Sequence, residues 1–148
     1  MSDMTSTQPT ENPSPPRKGR KYFKLAEARR ALPLVKRIAA DIQRVQAQRL
    51  ALHTELSAGL ATLAPKKQEE LARAFNTETD RLEKLVAELT HIGVELKDPG
   101  RGLIDFPALH EGREILLCWR GDEDDISHWH ELDTGFAGRR PVSELSDC

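Results

Sequence analysis

Cysteine is almost missing from this chain. Only Cys118 and the terminal Cys148 occur in 148 residues. That is too few for a disulfide framework, so the expectation is a cytoplasmic protein with reduced thiols. No run approaches the roughly 18 apolar residues that span a bilayer, and the first residues lack the apolar stretch of a signal peptide. Charge of one sign is lacking too. Lysine and arginine number 22 against 24 aspartates and glutamates, for a net charge of -2. This excludes a molecule-wide basic surface for nucleic acid, and the basic residues of the helical stretches are interspersed with acids. Catalytic signatures are absent as well: no Cys-x-x-Cys, no His-Glu-x-x-His, no serine–histidine–aspartate set. Aromatic residues make up only 5% of the chain, so the places where they gather stand out.

What is present begins with a polar, proline-containing start. Residues 1–21 read as a disordered tail ending in the basic run Arg17-Lys18-Gly19-Arg20-Lys21. Residues 22–142 read as one domain, and residues 143–148 as a flexible C-terminus. A hydrophobic content of 38% supports one modest core.

Two long amphipathic stretches come first. Leu25, Ala28, Leu32, Val35, Ala39 and Ile42 recur at helical spacing, and the stripe continues through Val45, Leu52 and Leu56. Pro33 interrupts it, which predicts a kink or a short lead helix ending there. Gly59 and Pro65 bracket a connection. Leu71, Phe75, Glu78, Leu82, Leu85, Leu89 and Ile92 form a heptad stripe, with Glu78 as its one polar fault, and Gly93 supplies a stop. A short connection makes the two helices antiparallel neighbours. Folding there sets Leu32 beside Ile92, Val35 beside Leu89 and Ile42 beside Leu82. Glu78 then meets the polar layer at Gln46 and Arg49, predicting a Glu78–Arg49 pair that fixes register.

After Gly93 the period changes. Lys97-Asp98-Pro99-Gly100 reads as a turn. Three short β-favouring runs follow, at Leu103–Phe106, Glu114–Trp119 and Ile126–Leu132. They predict a small antiparallel three-stranded meander, with Asp122–Asp125 as a solvated hairpin tip. The fold class expected is therefore α+β: a long antiparallel helical hairpin, then this sheet, which needs the hairpin or a second subunit as cover.

Both tryptophans, the internal cysteine and three of the five histidines fall in the last third of the chain. Alternation puts Leu116, Cys118 and Arg120 on one strand face and His128 with His130 on one face of the next. Pairing Arg120 with Ile126 sets Cys118 across from His128; a two-residue shift sets it across from His130. Asp105 on the neighbouring strand can join them. Three readings compete. In the first, His130, Cys118 and Asp105 bind a transition metal, zinc or iron. In the second, a histidine activates Cys118 as a reactive thiol. In the third the block is structural: Phe106 and the tryptophans, Trp129 among them, pack a sheet face, His130 and Asp105 bond the following loop, and Arg120 pairs with a carboxylate or stacks on an indole. His128 reads as a plain exposed strand residue, and His53 and His91 as solvated helix residues. The loop carrying Gly135, Phe136, Gly138 and Arg139 is a further candidate, as an anion cradle, a lid pinned by Phe136 or a dimer contact.

Three blocks carry a resemblance. They are Phe23-Lys24-Leu25-Ala26-Glu27-Ala28 with Leu32-Pro33-Leu34-Val35; Gly93–Asp98 with Gly102–Pro107; and Leu117-Cys118-Trp119-Arg120 with Trp129-His130 and Gly135–Arg139. Together they resemble the bacterial domain-of-unknown-function family twenty-two-hundred-and-three, over about Phe23–Val142. One departure is Lys24, where that pattern carries a threonine able to cap the first helix. The resemblance implies a small bacterial protein without an assigned activity. A cell-division label sometimes attached to the family finds no support in these residues. The function expected is a non-enzymatic interaction or assembly module, a homo-oligomer or a binder of a protein partner. The alternative is a metal-binding or redox protein centred on Cys118 and His130.

Overall fold

A computed structural model of the chain describes residues 15–145. The expected tail over residues 1–14, and the end of the expected flexible C-terminus including Cys148, lie outside the described residues.

Two helices open the fold, α1 (Leu25–Ala58) and α2 (Pro65–Ile92). At the start of α1, Lys24 provides no cap; instead the Glu27 carboxylate accepts the Lys24 backbone N–H at 2.8 Å. The helix does not end at Pro33 but runs through it. Pro33 is exposed there, while Leu32 and Val35 on either side are buried. Pro65 occupies the first turn of α2, where its missing N–H costs no helical bond. Gly93 ends α2 in the left-handed region at φ 105°, its N–H reaching back to the Leu89 carbonyl.

The sheet has five antiparallel strands in sequence order: β1 (Glu95–Asp98), β2 (Leu103–His110), β3 (Arg113–Trp119), β4 (His128–His130) and β5 (Arg140–Pro141). The expected meander is β2–β3–β4. Of the stretch read as a turn, Pro99 and Gly100 do turn, while Lys97 and Asp98 close a further strand, β1, and the chain after the Gly135 loop returns as β5. Both are too short and too polar to show a period of two. β4 is only three residues long, because Ile126 and Ser127 lie outside the ladder.

Directly opposed residues on neighbouring strands project to the same side. One face therefore holds Ile104 with Trp119, Phe106 with Leu117 and Trp129, and Ala108 with Ile115. These residues join Ala28, Leu32, Val35, Ala39 and Ile42 of α1 and Leu89 of α2 in the main core. Phe23 sits edge-on to Phe106 with ring centroids 5.4 Å apart.

The core draws on α1 from Ala28 to Ile42, and the α2 residues packed against it run from Leu82 to Ile92. Between these limits the two helices continue together as an arm. Glu78 and Arg49 both lie in it, but the expected pair does not form. Arg49 donates to the Thr79 hydroxyl at 2.8 Å and covers the Phe75 ring at 4.7 Å, while Glu78 pairs with Arg81 on its own helix at 3.0 Å. The Arg49 Nε is taken by the hydroxyl and the guanidinium lies over the Phe75 ring, while the Glu78 carboxylate pairs along its own helix. His53 and His91 are exposed, as expected.

Candidate functional site

The sheet face away from the helices is the unusual one. Across it runs a row of Glu95, Asp105, Cys118 and His128, each opposed to the next on the neighbouring strand. The next row is Pro107, Leu116 and His130, and the one after pairs Leu109 with Glu114. A polar row on a sheet face normally meets water. Here Asp105 and Cys118 are 1% and 0% exposed, and His130 in the next row is 3% exposed.

These three side chains meet. The His130 Nε2 stands 3.2 Å from both carboxylate oxygens of Asp105. The Cys118 sulfur belongs to the same cluster, with the three potential ligand atoms all within 4.8 Å of one another. On the other side of the ring, Nδ1 lies 2.7 Å from the Glu131 carbonyl oxygen. A carbonyl only accepts, so Nδ1 carries the hydrogen and donates it. Burial disfavours the charged ring. Asp105, Cys118 and the Glu131 carbonyl outweigh burial and push the His130 pKa up to about 10. Of the two registers open from sequence, the ladder takes the one that opposes Cys118 to His128. His130 reaches the thiol diagonally, from the Leu116 row.

The other residues singled out from sequence lie elsewhere. Trp129 is on the opposite face, in the main core, with the His110 ring at 6.0 Å and the Arg140 guanidinium at 5.2 Å. Arg120 lies just past the end of β3 and pairs with Asp122 at 2.6 Å, which raises the arginine's pKa and lowers that of Asp122. The candidate loop stacks on itself. Phe136 receives the guanidinium of Arg139 at 4.5 Å and those of Arg101 and Arg120 at 5.2 Å each. Arg139 also grips Glu123 at 2.7 and 2.8 Å. The supposed solvated tip is thus partly folded in: Glu123 accepts the Arg120 N–H, and its carbonyl accepts the Trp119 indole N–H. Gly135 has φ 63°, and a Cβ on Gly138 would stand 2.5 Å from the Thr134 Cβ. Both positions therefore favour glycine.

One polar centre had no counterpart in the sequence analysis. The side chain of Glu114 is fully buried on the same face as Cys118. Arg17 holds it through Nε at 2.9 Å and Nη2 at 2.5 Å, Arg20 through Nε at 2.9 Å and the Tyr22 hydroxyl at 2.8 Å. Arg20 also pairs with Glu95. The basic run of the expected tail is thereby packed against the sheet. A lone acid at the head of the apolar run Ile115–Leu117 was the available signal, since a carboxylate on a buried face needs cations brought to it.

The architecture defined by these elements is an α+β domain: a helical hairpin on one face of a small antiparallel sheet, with a polar cluster closed into the other. The chain belongs to the family described as "Uncharacterized conserved protein (DUF2203)", whose match covers residues 21–142. No curated protein and no solved structure matches it significantly. No helix among the described residues is long and apolar enough to cross a membrane.

Proposed function

We propose that the protein is a non-enzymatic assembly module that self-associates through its helical arm. The observation that carries this reading is the arm itself. At 1.5 Å per residue, the 34 residues of α1 extend about 51 Å. Its contribution to the main core ends at Ile42. Beyond that limit the arm keeps apolar side chains that its own partner helix does not cover: Leu50 is 52% exposed, and Leu60 at the bend is 63% exposed. Of the 28 residues of α2, only Leu71 and Leu89 are buried. A two-helix arm with so thin a seam gains most from further helices, as in a four-helix bundle.

The polar cluster supports the non-enzymatic side of this reading. Asp105, Cys118 and His130 are all but fully buried, so neither the thiol nor the imidazole is presented at the surface. The test is the mass in dilute solution, by light scattering or sedimentation. The unaltered chain should form a stable dimer that chelator does not dissociate. Replacing Leu50 and Leu60 together by glutamate should return it to a monomer with unchanged helix content. A chain that is monomeric at every concentration rules the reading out.

A further inference from the structure

We propose that Asp105, Cys118 and His130 are the protein ligands of one divalent transition-metal ion of the zinc class. This goes beyond the assembly reading and does not depend on it. The donor set is the first ground. A thiolate, an imidazole and a carboxylate together suit zinc, cobalt(II) or iron(II). Magnesium and calcium need shells of six or more oxygens, and this cluster supplies only the Asp105 carboxylate.

Geometry is the second ground. The three residues come from three consecutive strands and share one face, with Asp105 directly opposed to Cys118. Zinc bonds of about 2.0–2.3 Å place neighbouring donors in a tetrahedral shell roughly 3.3–3.8 Å apart. The Nε2–carboxylate separations of 3.2 Å, and an outer limit of 4.8 Å for the cluster, bracket that range. Small side-chain movements are enough to close the shell.

Orientation is the third. The Nδ1 hydrogen of His130 is committed to the Glu131 carbonyl, so Nε2 is the nitrogen turned to the Asp105 carboxylate. In the metal-free chain a proton on Nε2 bridges the pair, and a metal ion binding there takes that proton's place. A ligating histidine is held in this manner, its second nitrogen donating to a backbone carbonyl. Charge is the fourth ground. A divalent ion balances one carboxylate and one thiolate, leaving a neutral buried centre. Three protein donors leave one position in a tetrahedral shell, which a water fills.

The test uses the full chain, made without a histidine tag, stripped by chelator and titrated with cobalt(II). The expected result is one equivalent bound, with the intense visible bands of tetrahedral cobalt and a near-ultraviolet thiolate-to-cobalt band. Zinc should displace the cobalt and bleach both. Cys118→Ser should remove the thiolate band, and Cys148→Ser should keep it. His130→Gln should weaken binding by more than the roughly 10–100-fold that loss of an outer hydrogen-bond partner costs. His91→Gln should bind as the unaltered chain does. Circular dichroism of each stripped variant separates lost ligation from lost folding. A folded, unaltered chain that takes up no stoichiometric cobalt overturns the proposal and leaves a proton as the cation between His130 and Asp105. A cobalt spectrum that survives both Cys118→Ser and His130→Gln overturns it as well.

Discussion

Arg17 closes on Glu114 through two bonds, 2.9 and 2.5 Å long, across 97 positions of sequence. The carboxylate is fully buried, while the arginine is 55% exposed. This contact, with those of Arg20 and Tyr22, ties the segment before α1 to the sheet face away from the helices. Glu114→Gln keeps the shape and removes the charge. It should destabilise the fold by about 1.5–3 kcal/mol, the range for hydrogen bonds to charged groups. The denaturant midpoint is the readout. Arg17→Ala should cost less, because solvent already screens that side chain. A Glu114→Gln midpoint equal to that of the unaltered chain would show that the clasp adds nothing to stability.

The same carboxylate sets a pH dependence. Burial alone would raise its pKa; the bonds from Arg17 and Tyr22 and the charge of Arg20 hold it below the usual 4.5. A group whose pKa is depressed in the folded state stabilises fully above its unfolded value and loses that contribution as pH falls through its folded value. The stability gap between the unaltered chain and Glu114→Gln should therefore be constant near neutrality and narrow below about pH 4.5. Urea titrations of both proteins from neutrality to pH 3 would show it. A gap that widens on acidification would contradict the assignment.

Glu78 offers the opposite case. Its carboxylate is only 12% exposed, and one oxygen, Oε1, has no hydrogen-bond partner among the described residues. Its Arg81 partner is 62% exposed and adds little. Glu78→Leu restores the heptad stripe and should raise stability by about 1 kcal/mol. Thermal unfolding is the measurement. A lower melting temperature would mean that the carboxylate fixes the register of the hairpin after all.

The hairpin was legible because two long stripes of period 3.6, bracketed by Gly59, Pro65 and Gly93, leave little freedom. β2 and β3 were legible from their β-favouring runs. β1 and β5 were not: Glu95–Asp98 and Arg140–Pro141 gain strand form only by pairing with β2 and β4. Alternation put Cys118, His128 and His130 on one face with Asp105 able to join them, but the ladder takes the register that opposes Cys118 to His128, so the diagonal approach of His130 to the thiol was not legible. The burial of the cluster did not follow either, because which sheet face is closed depends on packing remote in sequence. The clasp failed for the same reason, since neither Arg17 nor Glu114 signals the other. Glu78 and Arg49 illustrate a further limit. Proximity was readable, but the competition from Thr79 and Phe75 for the guanidinium was not.

The borders of the sheet bear on what the chain can add a strand to. One border is β5, two residues long and ending in Pro141. The other begins as the four residues of β1, and where β1 stops, Phe23 donates its N–H to the Pro107 carbonyl. Pro107 itself has no amide hydrogen to offer a neighbour. Among the described residues, neither border presents a run of free backbone long enough to template a foreign strand. The fold is thereby guarded against fibre-like growth from its sheet.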